Sequence, residues 1–278
     1  MFLNNMIKII GNSNYKTSVI KKDKLYILKE SFTNNDSERL KKQIIKQETI
    51  QGSNYNIKTP KIITKEKSRY MMEYVKSYDM INYMNIIDIH SLKSMMNNII
   101  KLVNTFIKDS QMIVIDRLIV TNKIDSIKLN LQRFHKNSIV IHSLDYLREN
   151  ISILENTIPV GICHGDLTLS NMLIDYNHEL YLIDFLDDFI NTPIFDIIKL
   201  RQDIKYKYVL EIYKGTYDKI KIEQIFKYFD KLITNEYAKY ELYFKYFDIM
   251  NFLRILQYSK NSNLDNYLLK TIHNILQK

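Results

Sequence analysis

Two short windows between Ile162 and Asp196 constrain this chain more than anything else in it. The first, ICHGDLTLSN, carries His164, Asp166 and Asn171 in the order H-x-D-x-x-x-x-N, and the second ends the apolar run Tyr181-Leu182-Ile183 in Asp184. Such a pattern needs a tight loop that turns an acid and an amide to one side, and a neighbouring strand that delivers a second acid. Oxygen donors grouped in this way suit Mg²⁺, a hard cation that takes carboxylates together with substrate phosphates. Moving a γ-phosphoryl group requires such a metal and a carboxylate beside the attacking hydroxyl, because positioning and charge neutralisation supply most of the catalysis. Asp166 fits the carboxylate, and Asn171 and Asp184 fit the metal ligands. A hydrolytic triad of Ser170, His164 and Asp184 is disfavoured, since no serine stands in the G-x-S-x-G turn that presents such a nucleophile.

Protein kinases word the same roles as H-R-D-L-x-x-x-N and D-F-G. This chain has H-G-D-L-T-L-S-N and I-D-F, then Pro193 and Asp196. In that wording it resembles the aminoglycoside phosphotransferase and choline kinase family of small-molecule kinases. The resemblance implies an α+β, protein-kinase-like two-lobe fold. Residues 1–75 are then a small antiparallel-sheet N-lobe with one main helix, and residues 76–278 a larger, mainly helical C-lobe. It also implies ATP as co-substrate, Mg²⁺ as cofactor and a small-molecule hydroxyl as acceptor. Gly165 replaces the arginine that pairs with a phosphorylated activation loop, and Asp196 follows Asp184 by only twelve residues. A peptide-binding segment does not fit in that gap.

With 278 residues, 46% hydrophobic and 26% charged, the chain can bury a large core and lacks the composition of a disordered segment. Gly and Pro are scarce, at 5 and 3, which favours long helices. No apolar run approaches the roughly 18 uncharged residues of a bilayer span. Asn4, Asn5 and Lys8 break up the place of a signal core, so a cytoplasmic protein with no membrane partner is expected. The single Cys163 cannot form an internal disulfide and reads as a buried strand thiol. The formal net charge of +9 raises the question of nucleic acid, but the lysines are spread along every segment, as on a solvated surface, and no nucleic-acid partner is expected.

From the start, Ile7 to Ile10, Thr17 to Lys21 and Lys24 to Glu30 alternate as strands. Between the first two, Gly11-Asn12-Ser13-Asn14-Tyr15 can turn backbone N–H groups to phosphate oxygens, with Ser13 the candidate, although any hairpin has a similar turn. Lys29 is the cation that a kinase-like fold aims at the α- and β-phosphates. Asn35 to Gln51 reads as a helix, opened by Asn35 and Glu38 as a capping box and closed by Gly52. The resemblance implies that a glutamate on this helix holds Lys29: Glu48, in K-Q-E-T-I, with Glu38 second. Thr59 to Ile63 and Tyr70 to Val75 read as strands, and M-E-Y-V resembles a kinase hinge, where Glu73 and Val75 would meet the adenine edge through main-chain atoms.

From Ser91 the period becomes helical, with Leu92, Met95, Met96, Ile99, Leu102, Val103 and Phe106 on one stripe. Ile124 to Thr157 continues as helix, ended by Pro159, and beyond Asp196 the chain is helical and rich in tyrosine. Asp196 is expected as the N-cap of a helix from Ile197 to Gln202, and His164 as a residue that holds the loop backbone. Asp187 and Asp188 could reach a second metal or a substrate hydroxyl, or be plain surface acids.

For the acceptor, residues 201–278 hold 14 Lys and Arg against 9 Asp and Glu, a sign that repels cations. The expected activity is therefore ATP-dependent phosphorylation of a sugar-type hydroxyl. A choline, ethanolamine or aminoglycoside kinase is the second expectation, and a nucleotide-binding pseudokinase scaffold the third. The intact set of Lys29, Asp166, Asn171 and Asp184 argues against the scaffold. The stretch IDFLDDFINTPIFDIIKLRQD, with NFLRILQYSK, also looks similar to phosphotransferase-like proteins of bacterial surface-polysaccharide synthesis. That likeness implies Arg254 as a contact for an acidic or phosphorylated sugar.

Overall fold

The computed structural model describes residues 6–9, 15–53, 55 and 57–277. The chain runs through β1 (Met6–Ile9), β2 (Tyr15–Lys21), β3 (Leu25–Ser31), α1 (Asn34–Gln51), β4 (Ile62–Lys65), β5 (Arg69–Glu73), β6 (Ser77–Asp79), α2 (Met80–Ile86) and α3 (Ile89–Lys108). It continues with β7 (Gln111–Val114), α4 (Arg117–Asn130), α5 (Ser138–Glu149), β8 (Thr157–Val160), β9 (Met172–Asp175) and β10 (Leu180–Leu182). Helices close it: α6 (Pro193–Ile204), α7 (Tyr208–Ile212), α8 (Lys219–Glu236), α9 (Glu241–Leu256) and α10 (Ser262–Leu276). Two compact units result, one of residues 1–105 and 164–187, the other of residues 106–163 and 188–278.

The first unit contains an antiparallel five-stranded sheet in the order β1-β2-β3-β5-β4. Side chains alternate across a strand, so Ile27 and Lys29 of β3 share a face, opposite Met72 and Tyr70 of β5. Leu40 and Ile44 of α1 pack with Tyr70 and Met72, and Tyr15, Ile27 and Ile62 complete that core. A second sheet, β10-β9-β6, follows from long-range pairing, with Ser77 opposite Asp175. Lys58 ties the chain after α1 to β10, donating to the Leu180 carbonyl and accepting from the Leu182 N–H, both at 2.9 Å.

The cap of α1 differs from the sequence expectation. Thr33, not Asn35, is the N-cap: its hydroxyl oxygen accepts from the Asp36 N–H at 3.1 Å and its O–H donates to the Asp36 carboxylate at 2.6 Å. A Thr-x-x-Asp pair thus takes the place of the expected capping box two residues earlier. Gly52 closes the helix in a right-handed conformation, φ −80°, so no left-handed cap is used.

The second unit is helical apart from the antiparallel strand pair β7–β8. Pro159 lies inside β8, opposite Met112, rather than ending a helix. A two-stranded ribbon leaves each strand one open edge, where a residue without an N–H is tolerated. The stretch expected as helix from Ile124 to Thr157 is split into the end of α4, α5 and short turns. Asp196 does not open its helix: α6 begins at Pro193, capped by the Thr192 hydroxyl oxygen on the Ile194 N–H at 3.2 Å, and Asp196 lies buried in the first turn. Proline at the first helical position needs no donor, so the helix can start there. α9 is buried on nearly every side, and its charge is compensated: Asp248 takes Arg201 at 2.7 Å and the Tyr206 hydroxyl at 2.6 Å. Tyr237, Tyr240, Tyr243 and Tyr246 are core residues, and Tyr228 is exposed.

Candidate active site

The loop from His164 to Asn171 is held by its own side chains. His164 is fully buried, stacks on Phe185 with centroids 4.5 Å apart, and meets the Ile183 carbonyl through Nε2 at 2.9 Å. Its Nδ1 accepts from the Asp166 N–H at 3.2 Å. One nitrogen faces an acceptor and the other a donor, so the ring is the neutral Nε2–H tautomer. Burial agrees, pushing its pKa down to about 4. His164 thus positions the loop, as the sequence implies, and is no proton carrier near neutrality.

Asn171 turns its amide NH₂ onto Asp166, to the main-chain oxygen at 2.8 Å and to carboxylate Oδ2 at 2.9 Å. Its Oδ1 has no partner among the described residues. The Asn171 carbonyl accepts from the Ile183 N–H at 3.1 Å, which sets Asp184 immediately beside this loop. Asp184 has φ 59°, a left-handed conformation that Asp adopts more readily than bulkier residues. Its Oδ1 takes the Lys29 ammonium at 2.9 Å. Among the described residues no three His, Cys, Asp or Glu side chains form a metal-binding group. One carboxylate and one amide oxygen still fit Mg²⁺, which is ordinarily bound by one or two carboxylates plus substrate phosphates and water.

Lys29 is only 3% exposed, an arrangement a cation tolerates when paired. Its second partner is Gln43 Oε1 at 3.2 Å, and it lies 4.8 Å from the centroid of the Tyr15 ring. The expected glutamate is elsewhere: Glu48 pairs with Lys65 at 2.5 Å and Glu38 with Lys41 at 2.6 Å. At 100° per residue, Gln43 and Gln47 of α1 face inwards, and Glu48, one residue on, turns out. The helix also grips the segment after Asp184, through Lys42 on Asp187 at 2.8 Å and Lys46 on the Leu186 carbonyl at 2.6 Å. Sequence reading missed Gln43, Lys42 and Lys46; their spacing along one stripe of α1 was the available signal.

Gly165 shows why the arginine of protein kinases is absent here. It has φ 84°, and a Cβ there would lie 2.1 Å from the Leu186 carbonyl oxygen. Ser13 lies outside the described residues. The Glu73 N–H donates to the Lys61 carbonyl at 3.0 Å and its side chain meets Lys24 at 3.2 Å, so only its carbonyl could serve a base. The Val75 carbonyl accepts from the Ser77 hydroxyl at 3.3 Å, and its N–H has no partner among the described residues. In the second unit Asp188 binds Arg254 at 2.6 Å, with Lys123 at 4.0 Å. Cys163 is buried, 4.0 Å from Asn191 Oδ1.

The family model described as "Phosphotransferase enzyme family" matches residues 129–212. A search of curated proteins finds no match. Among solved structures, the gentamicin complex of APH(2″)-IIa is similar with a TM-score of 0.64 at 15% identity, covering 99% of this chain and 92% of that one. The choline kinase LicA from Streptococcus pneumoniae gives 0.63 at 14%, covering 98% and 93%. An ethanolamine kinase of Plasmodium vivax gives 0.56 at 14%, covering 99% and 82%. Other similar structures hold ADP, AMP or ATP. The chain therefore has the protein-kinase-like fold of the aminoglycoside phosphotransferases and the choline and ethanolamine kinases, and Asp166, Asn171 and Asp184 lie in the stretch that the phosphotransferase enzyme family model matches.

Proposed function

We propose that this protein is an ATP-dependent small-molecule kinase that transfers the γ-phosphoryl group to a hydroxyl of a sugar or sugar derivative. The observation that carries the reading is the grouping of four side chains: Asn171 on Asp166 at 2.9 Å, and Lys29 on Asp184 at 2.9 Å. Asp166, oriented by Asn171, accepts the acceptor's hydroxyl proton as the oxygen bonds to phosphorus and the bond to the β-phosphate oxygen breaks, releasing ADP. Lys29 steadies the phosphates. Asn171 Oδ1 and Asp184 would hold Mg²⁺, which when bound neutralises charge on the β- and γ-phosphates. Ser13, Glu73 and Val75 belong to the nucleotide side through main-chain groups, within an N-lobe of residues 1–75; residues 76–278 carry the catalytic loop, the metal site and the helical acceptor-binding region. The excess of cations in residues 201–278 favours a neutral or anionic acceptor, and a cytoplasmic setting supplies ATP.

The similarity to a choline kinase and an ethanolamine kinase favours a second reading, a cationic amino alcohol as acceptor. ATP consumption measured against sugars and amino alcohols separates the two. Asp166→Ala should lower turnover about 10²- to 10⁴-fold, the range for a lost acid–base group, with nucleotide affinity little changed. An undiminished rate removes Asp166 from the mechanism.

A further inference from the structure

Between α6 and α9 of the second unit lies a cavity lined by Phe195, Ile198, Lys199, Phe247, Met250, Asn251 and Arg254. Positions 195, 198, 199 and 202 form one face of α6, and 247, 250, 251 and 254 one face of α9, the i, i+3, i+4, i+7 spacing of facing helical stripes. The enclosed space is small, about 10 Å³, enough for one water-sized group.

Asn251 is only 4% exposed, and its Oδ1 is buried with no hydrogen-bond partner among the described residues. Its orientation is fixed by a chain of bonds. Asn251 Nδ2 donates to Gln202 Oε1 at 2.9 Å, the same oxygen takes Lys199 Nζ at 3.3 Å, and Gln202 Nε2 donates to Asp203 at 3.3 Å. A buried acceptor with no donor carries a desolvation cost that a ligand O–H would remove.

Arg254 is the second element. Nη1 is held at 2.6 Å by Asp188, whose carboxylate is almost fully buried, and no other bond engages the guanidinium among the described residues. Asp188 acts as a brace that fixes the fork and leaves N–H donors over for a planar anion. Lys123, 4.0 Å from Asp188, adds a second cation against that one carboxylate.

We propose that this cleft is a binding site for a hydroxylated anion: one hydroxyl enters the cavity and donates to Asn251 Oδ1, and a carboxylate or phosphate lies on Arg254 with Lys199 beside it. Resting on the kinase reading above, the ligand is the phosphoryl acceptor, an acidic or phosphorylated sugar. Asp188 stands four residues after Asp184 in the sequence.

The test is calorimetric titration of the full chain with four probes: D-glucuronate, D-glucose 6-phosphate, D-glucose and D-glucosamine. At least one anionic probe should bind about tenfold or more tightly than glucose, as charge-assisted bonds allow, and glucosamine no more tightly than glucose. The two anions separate a carboxylate site from a phosphate site. Removing Arg254 alone strands a buried charge, so the informative variant is Asp188→Asn/Arg254→Gln, its fold checked by circular dichroism. In that variant the anion preference should vanish while glucose binding is unchanged. Equal binding of all four probes, or a preference that survives in the double variant, overturns the proposal. ATP consumption with the same sugars keeps the two ideas apart. An anion preference without turnover counts against the kinase and leaves the site; turnover indifferent to the sugar's charge does the reverse.

Discussion

Gly165 has no room for a side chain. A methyl group would meet the Leu186 carbonyl at 2.1 Å, and the backbone there cannot retreat, because the Leu186 N–H donates to the His164 carbonyl at 2.9 Å. Gly165→Ala should therefore cost on the order of 3 kcal/mol through strain and a displaced backbone. A urea midpoint within error of the parent's would refute that contact. His164 makes a pH-dependent contribution of definite sign. Burial holds its folded pKa near 4, below the ordinary value of 6.5, so between these pH values the unfolded chain binds a proton that the native loop refuses. Stability from this group is complete above about pH 6.5 and is lost as pH falls towards 4, by on the order of 3 kcal/mol in all. Urea unfolding from pH 4 to 7 should show this slope, and His164→Gln, which keeps an N–H donor, should flatten it. The histidine's positioning role was legible in the motif H-G-D. The need for glycine was not, since the obstacle is a backbone twenty-one residues further along the chain.

At the scale of elements, α1 is the instructive case. Its span was readable to within a residue, from Asn35 to Gln51 against Asn34–Gln51, because the apolar period and the polar stretch before it are local signals. Its partner for Lys29 was not. That choice depends on which stripe faces the sheet, and one residue rotates a side chain by about 100°. Gln43, 4% exposed, meets the lysine, whereas Glu48 reaches outwards to Lys65. A neutral partner fixes the ammonium without cancelling its charge. Gln43→Ala should weaken ATP binding about tenfold, the worth of a hydrogen bond to a charged group. Glu48→Ala should change ATP affinity by less than about twofold and stability by no more than about 0.5 kcal/mol, as for an exposed pair. Calorimetric titration with ATP ranks the two variants, and the opposite ranking would restore Glu48 to the site. The same long-range blindness explains why Pro159 reads as a helix stop: its strand partner, Met112, lies in a segment whose own alternation is too short to recognise.

On the scale of the whole molecule, the resemblance implies a division after residue 75, whereas the chain weaves its compact units from separated segments. What joins residues 1–105 to residues 164–187 is strand pairing. Ser77, Tyr78 and Asp79 of β6 lie opposite Asp175, Ile174 and Leu173 of β9, and Lys58 exchanges two backbone bonds with β10. Local patterns carry no trace of such pairing, because its energy is realised only after a long loop has been closed. A fragment ending at Cys163 would keep all of residues 1–105 yet lack β9 and β10. β6 would have no neighbour, Lys58 would lose its acceptor and donor, and Lys29 would lose Asp184, leaving a cation 3% exposed beside one neutral amide. Each orphaned backbone group or charge disfavours the native arrangement. Fragment 1–163 should therefore give a near-featureless near-ultraviolet circular dichroism spectrum and a shallow urea profile. The full chain should unfold with an m-value in proportion to its size. A fragment that unfolds sigmoidally, with the slope expected for a closed unit of its length, would show that the first hundred residues fold without β9 and β10.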